Sequence, residues 1–298
     1  MPQRGPICDR AFFVCTQQFS RRETHMTMKQ STTAQSWLPQ DYGDMLDLVV
    51  QAKSVAAAAS TIFSTDKQKV GFPLWVADPS VGWYSELDEI TPADGDTDEV
   101  VVTPTKTAGL TLLSNELVDD SDPDIANQVA QALANQIAEA IDTAYFGNTT
   151  AKGPSGLQSL AATVVDPGTS VTNLDAFISA RYAAEAHSAK LTHWLMSPTT
   201  AETLSKLKIA SGSNQTLIQF VEDGITVAGL PVLTSTHVDA GTVAWGIDKT
   251  QQRYVSRKGT TVERFDSVTN DGQWVRAISR VGFGFLNPAG VIRLHHGS

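Results

Sequence analysis

Clustered carboxylates, glycine-rich turns and scattered histidines are the residues of this chain that could do chemistry. Asp119, Asp120, Asp122 and Asp124 come close to the alternation by which a calcium loop presents its oxygens. Pro123 and Ile125, however, stand where such a loop needs freedom and a glycine, and no Glu closes the motif at its twelfth position. Helix capping explains the same carboxylates without an ion. Asp94, Asp96, Asp98 and Glu99 could attract cations loosely and read as a solvated loop tip. The stretch from Gly147 to Gly153 includes Lys152 but lacks the spacing of a phosphate loop, and it follows a helix rather than a strand. Gly282 and Gly284 supply two glycines of a dinucleotide fingerprint without the third, and no helix is expected after them. There is no Gly-x-Ser-x-Gly elbow. His25, His187, His193 and His237 are scattered, and adjacent His295 and His296 on a strand would point to opposite faces, a poor chelate. Cys8 and Cys15 match no zinc spacing and read as free intracellular thiols. No catalytic, cofactor-binding or metal-ligating residue is assigned.

The elements that would position such residues are clearer than the residues themselves. From Asp122 to about Phe146 the pattern predicts one long amphipathic helix. Asp122 is the expected N-cap, Pro123 sits at the first helical position and Asp124 lies at the positive end of the dipole. Ile125, Val129, Leu133, Ile137, Ala140, Ile141, Ala144 and Tyr145 recur at helical spacing, and Gly147 stops the helix before the turn Gly153-Pro154-Ser155-Gly156. About 25 residues would make a spine of roughly 37 Å. Before it, Tyr42 to about Phe63 reads as a helix around the alanines 56–59. Lys69–Val76, Val100–Lys106 and Leu110–Ser114 read as strands, with Pro73 confining the first to an edge. A hairpin this long is marginal alone and is expected to rest on something else, such as a neighbouring subunit.

After the spine the pattern is mixed α/β. Leu174–Ala186 and Ala201–Leu207 read as helices, the second capped by Ser197, and Thr192–Met196 as a strand. Gly224–Leu233 reads as strand, turn and strand. Strands are expected at Arg253–Ser256, Thr260–Arg264, Gln273–Ser279, Arg280–Pro288 and Gly290–Leu294.

Composition narrows the class. With 41% hydrophobic and 18% charged residues, the chain suits a soluble globular protein with a sizeable core. No apolar run reaches the length of a membrane span, and the patch Ala11–Cys15 is too short for a secretion leader. The formal charge of −10 is uneven. Residues 1–29 hold five basic side chains against two acidic ones, a net of +3, so the remainder carries −13. An acidic body repels nucleic acid, while a basic arm could touch it. Residues 1–25 are also read as a poorly ordered or untranslated leader, with Met26 and Met28 as alternative starts.

In their order and spacing, several of these pieces resemble the major capsid proteins of tailed bacteriophages, which have the Hong Kong 97-type fold. The residues that carry the resemblance are Pro104-x-Lys106, Ser114-x-Glu116-Leu117, Asp120-Ser121, Asp124, the long helix, Gly147 and Gly153-Pro154-x-Gly156-Leu157. Gly229-Leu230-Pro231-Val232 and the stretch Arg280–Pro288 add to it, and the resemblance spans roughly residues 40–296. It implies an α+β fold with an N-arm, an extended E-loop β-hairpin, a P-domain with a long spine helix, and an A-domain. The implied boundaries are a flexible basic extension at 1–39, the N-arm helix at 40–66 and the E-loop at 67–105. The P-domain takes 106–155, the A-domain 156–249, and residues 250–298 return to the P-domain. The E-loop would lie across an adjacent subunit.

Two departures qualify what the resemblance implies. Some members weld subunits by an isopeptide bond between an E-loop lysine and a P-domain asparagine, promoted by a buried glutamate. Here no lysine lies between Lys69 and Lys106, the glutamate position falls on Ile278 and the asparagine position on Asp271, beside Asn270. No such cross-linking is expected, because an aliphatic side chain cannot shuttle a proton. At 298 residues the chain is also expected to lack a fused scaffolding domain, so that scaffolding would be a separate protein or absent.

The implied function is structural: hexamers and pentamers of this chain would close an icosahedral head around double-stranded DNA, contacted non-specifically. Implied partners are a separate scaffolding protein, a portal, a maturation protease and a decoration protein, in a virion shell assembled in the host cytoplasm. An encapsulin-like nanocompartment is the alternative, distinguished by a protein cargo and no nucleic acid. An unrelated enzyme is a third reading, for which no site was found.

Overall fold

Small side chains open the part of the chain that a computed structural model describes, residues 48–120, 125–168, 171–209, 214–221, 224–267 and 269–297. Residues 48–53 and α1 (Val55–Ala59) are helical, with Ala56, Ala57 and Ala59 buried. The helix expected to run on to Phe63 ends here, and β1 (Thr61–Thr65) follows as a strand. Thr61, Ile62 and Thr65 are β-branched and find a ladder partner, so pairing overrides the bias set by the alanine run. The expected helix start at Tyr42 lies outside the described residues.

β2 (Val70–Ala77) and β3 (Asp96–Val102) form a hairpin, with Pro73 opposite Glu99 and no regular structure across residues 78–95. β4 (Thr105–Ser114) begins after Thr103-Pro104, so Thr105 and Lys106 belong to this strand and not to the preceding one. The short α2 (Asn115–Asp119) leads towards the spine, α3 (Ile125–Phe146), a helix of 22 residues. The expected caps Asp122, Pro123 and Asp124 lie outside the described residues.

The spine meets the sheet through alanine in its first half. Ala126, Ala130 and Ala134 are buried, whereas Ile125, Val129 and Leu133 flank the contact half-buried and Ala140 faces solvent, contrary to the expected stripe. Small residues four apart let the helix approach β4 closely, and a side chain at Gly109 would meet Leu133 Cδ2 at 3.0 Å. In the second half Ile137, Ile141, Tyr145 and Phe146 enter the main core with Leu157, Trp245 and Tyr254. The chain then folds back over the helix end. A side chain at Gly156 would fall on the carbonyl oxygens of Ala144, Tyr145 and Gly147, so this position admits glycine alone.

Two sheets carry the remaining strands. The second is built from β5 (Thr163–Val165), β6 (His193–Met196), β7 (Gln219–Val221), β8 (Gly224–Val227), β9 (Leu230–Thr234), β10 (Thr242–Ile247) and β14 (Ile292–His295). Its order is β5-β14-β10-β6-β9-β8-β7. The helices α4 (Asp175–Ala186) and α5 (Pro198–Ser205) accompany it, and Ser197 Oγ accepts the Thr200 N–H as the expected cap. The central β10 was not anticipated: every one of its residues is buried, so it lacks the alternation that announces a strand. Gly246 lets it pass Trp194, whose ring meets Phe177 edge-to-face at 5.1 Å.

The first sheet comprises β1, β4, β11 (Gln252–Arg257), β12 (Thr261–Asp266) and β13 (Gly272–Phe285). β13 is one strand of 14 residues, where the sequence suggested two segments meeting at Ser279 and Arg280. β4 lines one of its edges from Ser114 opposite Gly272 to Thr105 opposite Val281. β11 and β12 share the other edge, separated by Lys258 and Gly259, both at positive φ. β1 pairs parallel with β11. The chain passes between the sheets three times: α3 to β5, β10 to β11, and β13 to β14. The last two crossings touch, where the Leu286 N–H donates to Gln251 O at 2.9 Å.

Candidate functional site

The residues first suspected of chemistry are not brought together. Asp119 and Asp120 are exposed at the end of α2, while Asp122, Asp124, His25, Cys8 and Cys15 lie outside the described residues. His237 Nδ1 meets Thr143 Oγ1 at 3.2 Å, and His295 Nδ1 meets Thr242 Oγ1 at 3.3 Å. His296 contacts Gly168 O. Burial and nearby Lys249 push the His193 imidazole below its ordinary value. The N–H groups of Gly168 and Gly297 hold Asp166 below the usual carboxylate range. Among the described residues no three His, Cys, Asp or Glu side chains converge as metal ligands.

One buried charge that sequence reasoning passed over is structural. Asp142 on the spine accepts from Ser54 Oγ at 2.6 Å and from the N–H groups of Val55 and Ala56, each at 3.0 Å. A carboxylate from α3 therefore caps α1. Its signal was a lone acid between Ile141 and Tyr145 on an apolar stripe. Nearby, the Tyr145 hydroxyl donates to Gln252 Oε1, and burial pushes it up. A groove of about 400 Å³ runs beside the cap, but Lys53 Nζ on its wall is committed to Asn135 Oδ1 at 2.7 Å.

The unusual surface is apolar and lies on the hairpin. Val81 is 96% exposed, Leu87 100%, Trp83 105% and Ile90 71%. Side chains this open touch nothing else in the chain, and contiguous exposed apolar groups mark a contact surface. No base lies between Lys69 and Lys106, while Asp78, Glu86, Asp88, Glu89, Asp94, Asp96, Asp98 and Glu99 are acids.

The foot of the hairpin, in contrast, is firmly seated. A side chain at Gly282 would meet Val102 Cγ1 at 2.8 Å, and one at Gly284 would meet Val102 Cγ2 at 2.7 Å. The glycine pair considered above for a dinucleotide thus forms a slot for Val102. Phe72 stacks edge-to-face on Phe63 at 5.4 Å, and the Arg253 guanidinium lies 5.9 Å from its ring centre.

Gly282 and Gly284 lie on the face of the first sheet opposite the spine. Along β13 the residues of that face continue through Arg280, Ile278, Arg276 and Trp274, opposed on β4 by Lys106, Ala108, Leu110 and Leu112. Here Leu110, Leu112 and Phe265 of β12 are exposed. Arg276 pairs with Glu263 and lies over Phe265, its guanidinium 4.8 Å from the ring centre. Lys106 and Arg280, directly opposed, have no acidic partner among the described residues.

An anchored hairpin with a bare tip, a long spine and two sheets can be compared with known proteins. The phage capsid family matches residues 37–295. This chain belongs to the phage capsid family. Its structure is similar to the capsid of an empty GTA particle, with a TM-score of 0.71 at 19% identity, over 83% of this chain and 90% of that one. A structure from Mycobacterium phage Adephagia gives 0.69 at 14% identity, over 82% and 90% of the two chains. One from Mycobacterium phage Cain gives 0.66 at 14%, over 91% and 99%. These likenesses establish the Hong Kong 97-type fold, and the family makes the chain a structural shell component rather than an enzyme. No curated protein sequence matches.

Ile278 is half-buried on the face opposite the spine. Asp271 ends the turn before β13, where Asn115 Nδ2 donates to its carboxylate and the Asn115 N–H to its carbonyl at 3.4 Å. The Asn270 N–H donates to Ser267 Oγ at 3.2 Å. Among the described residues no helix is long and apolar enough to cross a membrane.

Proposed function

We propose that this chain is the major capsid protein of a tailed phage. It assembles through pentamers and hexamers into an icosahedral shell around double-stranded DNA, in the cytoplasm of the host cell. The observation that carries this reading is the E-loop tip, whose Val81, Trp83 and Leu87 are fully open in the single chain. Only association removes such area from water, at about 25 cal/mol per Å², and many modest contacts then act together. In this reading residues 40–66 serve as the N-arm and 67–105 as the E-loop. Residues 106–155 and 250–298 form the P-domain, and 156–249 form the A-domain around the five- and six-fold centres. The acidic body keeps the wall from adsorbing its DNA, and the basic residues before Lys29 supply non-specific contact with it. Scaffold, portal, maturation protease and decoration protein are separate chains.

The shell carries no isopeptide weld of the lysine–asparagine type, since Ile278 offers no proton shuttle and no lysine lies between Lys69 and Lys106. Negative-stain electron microscopy of the purified chain tests the reading, with closed shells or five- and six-membered rings expected. Particles boiled in detergent should run as monomers, and a ladder of covalent multimers would overturn the absence of a weld. Deleting Val81–Thr97 should abolish shells and leave a folded subunit. A stable monomer that never assembles would sink the proposal, and shells holding a protein cargo without nucleic acid would redirect it to a nanocompartment.

A further inference from the structure

We propose that the free edge of β4 is a self-pairing edge, to which the β4 strand of a second copy of this chain adds antiparallel across a two-fold axis. This rests on the reading of the chain as a self-assembling shell subunit. Among the described strands β4 pairs with β13 alone, so one edge of it, ten residues long, has no strand beside it. The other outer strand of the same ladder, β12, shows how this sheet protects an edge, for its six residues include Glu263, Arg264 and Asp266. β4 carries one charge, Lys106 near its start, with no proline and no register shift along its ladder. Natural sheets blunt exposed edges with charge, proline or bulges, because an open edge templates another strand. This edge is left plain.

The phase of the ladder says which groups the edge offers. One step beyond β4, the Asn115 N–H donates to Asp271 O at 3.4 Å, so position 115 turns towards the β13 side. Such positions alternate along an antiparallel pair. Leu113, Thr111, Gly109 and Thr107 therefore turn their N–H and C=O groups to β13, while Leu112, Leu110, Ala108 and Lys106 turn theirs outward, where no described strand meets them. The side chains of these same four residues are exposed on the face opposite the spine, Leu110 at 56% and Leu112 at 37%. The strand is its own complement about Leu110. Centred there, two copies set Leu110 against Leu110, Ala108 against Leu112 and Lys106 against Ser114, with each pair on one face and no like charges opposed. Centring on Gly109 would instead oppose two glycines and lay Lys106 on Leu112. Such a contact is isologous, whereas rings are closed by head-to-tail contacts, so paired β4 edges join one ring of subunits to the next.

Two experiments on the full chain test this. Leu110→Pro removes an outward N–H and none that β13 uses, so the subunit should keep its sheet. Closed shells should be lost, and free five- and six-membered rings should remain. Closed shells at the parent's yield would overturn the proposal. Thr111→Pro, which removes an N–H turned to β13, shows in thermal melts what damage to the sheet itself looks like. Cysteine placement reads the register. In a Cys8→Ser, Cys15→Ser background, Leu110→Cys sets two thiols on residues whose Cα atoms lie about 5.5 Å apart across the axis, within the range a disulfide spans. Oxidised particles of this variant should run as covalent dimers that reductant separates, with peptide mapping joining residue 110 to residue 110. Ala108→Cys in the same background should give none. Leu110→Cys particles that stay monomeric after oxidation would overturn the proposal and leave the shell reading intact. If the unmodified chain yields neither rings nor shells, the shell reading fails and this contact fails with it.

Discussion

Asp142 and the pair Lys106–Arg280 are charges on the two sides of the same helix-on-sheet layer, and they meet different ends. Asp142 is buried and accepts from a hydroxyl and two backbone N–H groups, so nothing about it is left for another molecule. Lys106 and Arg280 face each other across a strand pair without a counter-ion among the described residues. A charge satisfied within the chain holds the fold together; a charge left against its like costs the isolated subunit. The same contrast divides the two ends of the outer face, one filled by Val102 over its glycines and the other bare.

Asp142→Ala breaks the comparison most severely. It leaves three donors at the start of α1 without their acceptor, and should lower the stability of the unassembled subunit by about 3 kcal/mol. Asp142→Asn, which keeps one acceptor oxygen, should cost roughly half as much. Urea denaturation reads both, and an Ala variant as stable as the parent would show that the cap is dispensable. Gly282→Ala should cost about 1–2 kcal/mol, because the new methyl group displaces Val102 and lifts the hairpin foot. Its signature is faster proteolysis of the hairpin than of the sheets, and unchanged cleavage would mean the slot is not what seats the loop. Lys106→Gln has the smallest effect and separates the two kinds of charge most cleanly. Removing one opposed cation should stabilise the isolated subunit by about 0.5 kcal/mol. A variant destabilised in thermal melts would contradict the view that the two opposed cations repel each other.

Local pattern carried much of the fold. The spine, α4, β6, the Ser197 cap and the β8–β9 turn follow from periodicity and capping chemistry. What escaped did so for physical reasons. β10 has no polar face to alternate with. β1 follows an alanine run that favours helix, and its strand character comes from a partner 192 positions later, Thr61 pairing with Arg253. The spine pattern pointed to its large residues, whereas close approach to β4 selected the alanines between them. For the site, the open hairpin was foreseen as a segment that could not bury itself. The slot at Gly282 and Gly284 was seen as an isolated motif, since its occupant, Val102, lies far away in the chain. The Lys106–Arg280 pairing exists only through register, which no local pattern encodes.

The repeated passage of the chain between its sheets has a mechanical consequence. A single connection would act as a pivot, and the two sheets could swing about it under load. Here three connections join them, and two, Asp248–Gln251 and Leu286–Val291, run side by side and are tied by the Leu286–Gln251 hydrogen bond. Bending one requires bending the other, so outward pressure on a closed shell is carried as tension shared among backbone segments. The two sheets are thereby kept from swinging about a single hinge.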